Sequence, residues 1–124
     1  MTILFKCKLP LPVSVNAMYA GGSGQQRYKT KRYKKWLSDC PKLEAVRISE
    51  AVSVEYIFCW PDSKKRDLSN YIKGIDDFLV NSGVLEDDNY NIISIVLIRH
   101  EGIKRGDPHV RVVIRRIEGD THGR

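Results

Sequence analysis

The sequence predicts an α+β domain in which a mixed sheet of about four strands packs against two helices. Four segments rich in β-branched and aromatic residues predict strands, and two segments with helical spacing predict helices between them. The chain has 124 residues, of which 42% are hydrophobic and 29% are charged. This size and composition suit one folded domain, which we assign to residues 1–118, followed by a polar tail at residues 119–124.

Each predicted strand ends at a turn-forming or proline-containing segment. The clearest strand is AVSVEYIFCW, in which Val54, Tyr56 and Phe58 share one face while Ser53 and Glu55 lie on the other. The predicted strands cover residues 2–8, 51–60, 91–100 and 109–117. Residues 101–108, EGIKRGDP, are expected to join the last two strands as a hairpin.

Two helices are predicted between these strands. Thr30 is expected to cap a short helix that places Tyr33, Trp36 and Leu37 on one face, with Trp36 buried. A longer helix is predicted from Leu68 to Ser82, because apolar residues recur there at helical spacing. Asp67 is a suitable N-cap for this helix, and Gly83 is a suitable stop.

The cysteines and the apolar segments indicate the compartment. Cys7, Cys40 and Cys59 are odd in number and widely spaced, which predicts reduced thiols and no zinc site. The chain has neither a signal-peptide pattern nor an apolar run near the ~20 residues of a membrane span. We therefore expect a cytoplasmic protein with no membrane partner.

Basic residues are concentrated near the N-terminus. Residues 1–38 contain eight Lys or Arg and no acid, leaving 13 basic and all 15 acidic residues for the rest of the chain. Such asymmetry is typical of proteins that bind a polyanion, although a solvated basic face is the alternative. Arg27, Lys29 and Lys31 follow the glycine-rich stretch 21–25, which predicts a mobile loop from which they reach DNA.

Acidic residues lie at both ends of the longer predicted helix. A helix of this length is about 22 Å long, so Asp88 meets Asp67 only if the next strand folds back or a second subunit approaches. Carboxylates close together are ligands for Mg²⁺ or Mn²⁺, and Lys64, Lys65 and Lys73 suit phosphates. The alternative is that Asp67 is only a cap, Asp76 and Asp77 form a solvated face, and residues 86–88 form a polar turn.

These motifs resemble, in order and spacing from residue 9 to residue 88, the RusA-type Holliday junction resolvases of bacteria and their phages. LPLPVSVNAMY is similar to the family's proline-rich segment that ends in an asparagine and aromatics. RDLSN, residues 66–70, follows Trp60-Pro61 and resembles the family's Arg-Asp-x-Asp-Asn. Lys73 follows at the family's spacing, and Asp87 and Asp88 match its aspartate pair.

The resemblance implies a Mg²⁺-dependent endodeoxyribonuclease, with Mn²⁺ as a substitute. Asp67 and Asp88 would bind the metal, with Asp87 beside them, and Lys73 would be the catalytic lysine near the scissile phosphate. Asn16, Arg66 and Asn70 would support the site or contact DNA. The substrate would be branched DNA, a four-way junction cut symmetrically in two strands by a two-fold homodimer.

Ser69 departs from the family pattern, which has a second aspartate at this position in the motif. A serine hydroxyl is neutral and therefore a weaker ligand than a carboxylate. Three explanations are open: the site works with fewer carboxylates, with Asp87 or Glu86 compensating; the protein binds junctions with weakened or absent cleavage; or the serine is a replacement that traps a complex. A non-enzymatic nucleic-acid-binding domain is a further alternative. His100 and His109 lack partners at metal-ligand spacing.

Overall fold

The computed structural model describes residues 2–22 and 26–117. The predicted polar tail and most of the predicted mobile loop at 21–25 lie outside these residues. The strands and helices are β1 (Ile3–Leu9), β2 (Tyr19–Ala20), β3 (Tyr28–Lys29), α1 (Lys31–Asp39), β4 (Val52–Trp60), α2 (Lys73–Asn81), β5 (Ile93–Ile103) and β6 (His109–Arg116). Two short 3-10 helices cover Val15–Ala17 and Leu68–Tyr71.

The main sheet has four strands in the order β1-β6-β4-β5. Strand β6 is antiparallel to both of its neighbours, whereas β5 is parallel to β4, so the sheet is mixed. The predicted α+β architecture is therefore confirmed. A second sheet, formed by β2 and β3, was not predicted from the sequence.

The predicted hairpin between the last two strands is wrong, because β5 and β6 lie on opposite sides of β4. Their side chains explain this order. Val110, Val112, Val113 and Ile114 are all buried, so β6 suits an interior position with neighbours on both sides. Most side chains of β5 are exposed, as expected of a strand at the edge of a sheet.

One face of the sheet carries the core. Tyr56 and Phe58 of β4 are fully buried against a cluster that includes Trp36 of α1 and Ile75 of α2. The predicted cap of the first helix is confirmed, because the hydroxyl of Thr30 accepts a hydrogen bond from the backbone amide of Tyr33. Trp36 is buried as predicted, and its indole N–H donates to the carbonyl of Pro10 at 2.8 Å.

The predicted continuous helix from residue 68 to residue 82 is wrong. The chain forms a 3-10 turn over Leu68–Tyr71, and the α-helix begins only at Lys73. Ser69 and Asn70 have low helix propensity, and Gly74 occupies the second position of α2. The edge of Tyr71 packs against the Trp60 ring, with centroids 5.1 Å apart. This contact attaches the turn to the end of β4.

The chain reverses direction after α2 and runs back beside it. Gly83 has a φ of +78°, a left-handed conformation that favours glycine. Val84 and Leu85 are then buried, and the backbone amide of Ile48 donates to the carbonyl of Val84 at 2.8 Å. Helix α2 has 9 residues and is about 13 Å long. Residues 84–88 span up to about 16 Å, enough to return to the start of α2.

The sequence also led to expectations about the cysteines and about membrane-spanning segments. Cys7, Cys40 and Cys59 are free thiols, as predicted. Throughout residues 2–22 and 26–117, no helix is both long enough and apolar enough to cross a bilayer.

Candidate active site

Lys73 is surrounded by carboxylates at the N-terminal end of α2. Its ammonium group lies 3.0 Å from a carboxylate oxygen of Asp77 and 3.9 Å from one of Asp88. The hydrogen bond that Lys73 donates to Asp77 is the main reason that the pKa of Lys73 is raised, and the charges of Asp88 and Asp76 add to the effect. The return of the chain along α2 brings Asp88 here. The sequence left open whether Asp88 approaches the start of the helix by a fold-back of its own chain or from a second subunit. The structure shows a fold-back within one chain, which brings Asp88 to Lys73.

Asp76 is a member of this acidic cluster that the sequence analysis missed, because it was assigned to a solvated face. It lies in the first turn of α2, where its carboxylate accepts a hydrogen bond from the hydroxyl of Tyr56. Burial raises the pKa of Asp76 to about 6, the Tyr56 hydroxyl opposes the rise, and the charge of Asp88 adds to it. The sequence did contain a signal for this contact. Tyr56 lies on the core face of a buried strand, where its hydroxyl needs a hydrogen-bond acceptor.

Asp67 precedes the 3-10 helix, but it does not serve as the predicted cap. Its side chain makes no capping hydrogen bond. Its backbone carbonyl accepts a hydrogen bond from the backbone amide of Asn70 at 3.0 Å. Asp67 and Ser69 are both exposed on this turn. The 3-10 helix that contains Asn16 contacts the same turn. The cap interpretation of Asp67 is thus wrong, and its carboxylate faces solvent.

Asp87 is part of the turn that carries Asp88. One of its carboxylate oxygens accepts from the backbone amide of Asp88, and the other accepts from the side-chain amide of Asn89, both at 2.8 Å. The amide of Asp88 is the main cause of the lowered pKa of Asp87. Glu86 is exposed, and its backbone amide bonds to Ile48. Asp87 therefore shapes the turn, while Asp88 extends toward Lys73.

A divalent cation requires oxygen ligands that lie close together. Within residues 2–22 and 26–117, no three or more His, Cys, Asp or Glu side chains are grouped closely enough to hold a metal. Mg²⁺ is commonly held by only one or two carboxylates, with waters and substrate phosphates completing its shell. Asp67 is exposed and Asp88 is half-buried, so both offer carboxylate oxygens of the kind that this mode uses. The ring of His109 instead bonds to the carbonyl of Asp107.

The basic N-terminal segment forms a small β2–β3 hairpin beside the candidate site. Arg27, Lys29 and Lys31 are exposed, and the guanidinium of Arg27 lies 5.3 Å from the centre of the Tyr19 ring. Thr30 ties the hairpin to the helix of Asn16, because its hydroxyl donates to the carbonyl of Ala17 at 2.6 Å. Arg27 and Lys29 of the hairpin and Lys31 at the start of α1 are thus exposed cations in a segment that Thr30 ties to the helix of Asn16.

The second basic segment divides into two parts. Lys64 and Lys65 are exposed. Arg66 is not: its side chain is 13% exposed, lies 4.7 Å from the centre of the Trp60 ring and pairs with Asp62 at 2.9 Å. Arg66 therefore packs against the fold, and this contact had no signal in the sequence beyond the tryptophan itself.

Comparison with known proteins identifies the class to which this fold and site belong. Residues 7–115 match the family described as Endodeoxyribonuclease RusA. The chain therefore belongs to the RusA endodeoxyribonuclease family, as its motifs predicted. A relative is the crossover junction endodeoxyribonuclease rusA of Enterobacteria phage HK97, which is 32% identical over 85 residues, or 64% of this chain and 70% of the relative.

The hydrogen bond between Tyr56 and Asp76 predicts how the free energy of unfolding depends on pH. The folded state raises the pKa of Asp76 from its ordinary value of 3.8 to about 6, so the contribution of this group to stability is fully present below pH 3.8 and is lost as the pH rises through about 6. Tyr56→Phe removes the donor that opposes this rise, which moves the pKa of Asp76 higher. We expect a loss of about 1–3 kcal/mol at pH 7 and a smaller loss at pH 4.

Urea unfolding at both pH values measures this difference. Tyr90→Phe is the matched control, because the Tyr90 side chain is 82% exposed and its hydroxyl should contribute little. An equal loss at pH 4 and pH 7 for Tyr56→Phe would show that Asp76 is not the acceptor that matters.

Proposed function

We propose that this protein is a metal-dependent endonuclease that cuts four-way DNA junctions by paired, symmetric hydrolysis of phosphodiester bonds. Membership of an endodeoxyribonuclease family supports a DNA nuclease. The name of the phage HK97 relative, a crossover junction endodeoxyribonuclease, supports the junction as substrate. The observation that carries the proposal is the approach of Asp88 to Lys73 at the start of α2, beside the turn that follows Asp67.

The residues have distinct roles in this proposal. Asp67 and Asp88 hold Mg²⁺, or Mn²⁺ in its place, through oxygen atoms that hard cations prefer. The metal, when bound, lowers the pKa of a water and neutralises charge on the phosphate. Lys73 is the catalytic cation: its ammonium group, now neutralised by Asp77 and Asp88, contacts the scissile phosphate as negative charge develops there.

Asp87 and Ser69 have secondary roles. Both carboxylate oxygens of Asp87 are engaged in its own turn, so we propose that it orients Asp88 and contributes charge at a distance. Ser69 is exposed on the turn after Asp67, where its hydroxyl suits a water or a phosphate oxygen. If cleavage requires the carboxylate that Ser69 replaces, the protein is instead a junction-binding protein with weak or absent cleavage. A non-enzymatic nucleic-acid-binding domain is the further alternative.

The proposed DNA surface surrounds these residues. Phosphate contacts come from exposed cations of the β2–β3 hairpin, of the start of α1 and of the loop before Asp67, with amide groups nearest the site. Its members are Asn16, Arg27, Lys29, Lys31, Lys64, Lys65 and Asn70. Arg66 supports this loop through its contact with Trp60 and contacts DNA only with the part of its side chain that the fold leaves uncovered. A nuclease of this kind acts on DNA in the cytoplasm of a bacterium, which agrees with its phage relative.

We also propose that the protein acts as a homodimer through β5. This strand lies at the edge of the sheet, and three consecutive apolar residues on it, Ile95, Val96 and Leu97, are 39–48% exposed. An exposed apolar edge strand is a template for pairing. A two-fold axis at Val96 places Ile95 opposite Leu97 of the partner subunit and brings no like charges together. The result is a continuous eight-stranded sheet with two sites for a two-fold substrate.

Cleavage of a labelled four-way junction, with a matched linear duplex as comparison, tests the activity. We expect paired nicks in the junction with Mg²⁺ or Mn²⁺ and none with chelator. Asp67→Asn and Asp88→Asn should each lower the rate at least about 100-fold, since each removes a metal-binding charge. Both should keep or increase junction affinity, because they remove negative charge near phosphate.

The controls separate the alternatives. Asp39→Asn removes an exposed acid that pairs with Lys35 on α1 and should cut normally. Ser69→Asp should raise cleavage if the serine weakens the site. An Asp67→Asn protein that cuts as well as the parent would contradict the catalytic assignment. Binding without cleavage in the parent, restored by Ser69→Asp, would support the junction-binding alternative.

The dimer is tested by analytical ultracentrifugation. Leu97→Lys should shift the parent dimer toward monomer at micromolar concentration, because the lysines would face an apolar partner surface. Ile3→Lys is the control, since Ile3 has the same 48% exposure as Leu97 but lies on β1 at the opposite edge. If Leu97→Lys remains as dimeric as Ile3→Lys, the β5 interface is wrong.

A further inference from the structure

A pocket of about 360 Å³ opens directly beside Asp67. Arg66 and Leu68, the residues on either side of Asp67 in the chain, both line it. The opposite wall comes from His100 and Ile103, near the end of β5. The pocket is thus lined by both chain neighbours of Asp67, the acid that the proposed function places near the scissile phosphate as a metal ligand. The reaction described above makes no use of this pocket.

The floor and one wall of the pocket are planar and rigid. The Trp60 ring is held by Phe58, which is stacked on it at 4.9 Å, and by the edge of Tyr71. The guanidinium of Arg66 lies over this ring, pairs with Asp62 and donates to the carbonyl of Lys64 at 3.1 Å. A guanidinium fixed in this way offers its outer face to another planar group, since arginine stacks on aromatic rings and bases.

The remaining surfaces limit the chemistry of a ligand. Leu68 and Ile103 are apolar, and Ile103 is 44% exposed, so the pocket leaves an apolar side chain uncovered. Lys64 and His100 are exposed at the opening. Asp62, the acid in the lining, already accepts from Arg66 and from the amide of Lys64. A flat molecule with polar edges and an attached negative charge satisfies all of these groups.

We propose that this pocket binds the unstacked base of the nucleotide next to the scissile phosphate. The inference rests on the proposed function, because it assumes that Asp67 faces that phosphate. The base stacks on the Arg66 guanidinium between Leu68 and Ile103, while Lys64 and His100 reach its polar edge or its phosphate. Bases at a branch point are easier to unstack than bases within a duplex, which favours a junction over linear DNA.

Abasic substitution tests the pocket. Junctions that lack one base, placed in turn at each nucleotide around the branch point, are bound to the protein in chelator so that no strand is cut. We expect one position in each of two opposing strands to lower affinity about tenfold, the effect of one lost stacking contact. In Ile103→Ser, affinity for the intact junction should fall by a similar factor, and the abasic position should cause no further loss.

Ile3→Ser is the matched control, because it removes an equally exposed isoleucine far from the pocket. It should keep the tenfold difference between intact and abasic junctions. If no abasic position weakens binding by the parent, or if Ile103→Ser weakens intact and abasic junctions equally, the base pocket is wrong. Junction cleavage together with such a result would leave the proposed function standing, whereas absence of any junction binding would overturn both.

Discussion

The return of the chain along α2 is the constraint on which the candidate site depends. Gly83 provides the left-handed turn, and burial of Val84 and Leu85 fixes the direction of the segment that follows. Backbone bonds on both sides of Ile48 hold this segment in place. Without this path Asp88 would lie at the far end of the helix from Lys73, and the two charges would not meet. The apolar residues thus position a polar site.

The site concentrates negative charge in a chain whose formal net charge is +6. Asp76, Asp77 and Asp88 all influence Lys73, and a single lysine does not balance three acids. The raised pKa of Asp76 is one consequence of this crowding, after its burial. In the proposed function, a divalent cation held by Asp67 and Asp88 would relieve the repulsion. The surrounding lysines and arginines would then draw DNA toward a surface that is acidic only at its centre.

Local signals in the sequence predicted most of the elements. The alternation of residues 51–60, the cap at Thr30 and the stop at Gly83 each depend on a few neighbouring residues, and each is present in the structure. Strand order could not be predicted in the same way, because β5 and β6 are adjacent in sequence but separated by β4 in space. The break before Lys73 was missed because the apolar spacing continues across it while Tyr71 turns toward Trp60.

Only part of the candidate site could be predicted, because some of its contacts join segments that are far apart in the chain. The family motif pointed to Asp67, Lys73 and Asp88, and the structure brings the last two together. It did not point to Asp76, whose position depends on a tyrosine from a distant strand. It also did not indicate that Arg66 is covered by its contact with Trp60. Contacts between segments far apart in the chain carry no local pattern.

Nuclear magnetic resonance with Mn²⁺ tests most directly whether Asp67 and Asp88 form one metal site. Bound Mn²⁺ broadens amide signals within a limited distance of itself. The account predicts that the signals of residues 67–70 and 87–89 broaden together, with one affinity, and that Asp88→Asn abolishes both effects. Broadening of only one segment, or persistence of the effect at residues 67–70 in Asp88→Asn, would contradict a shared site.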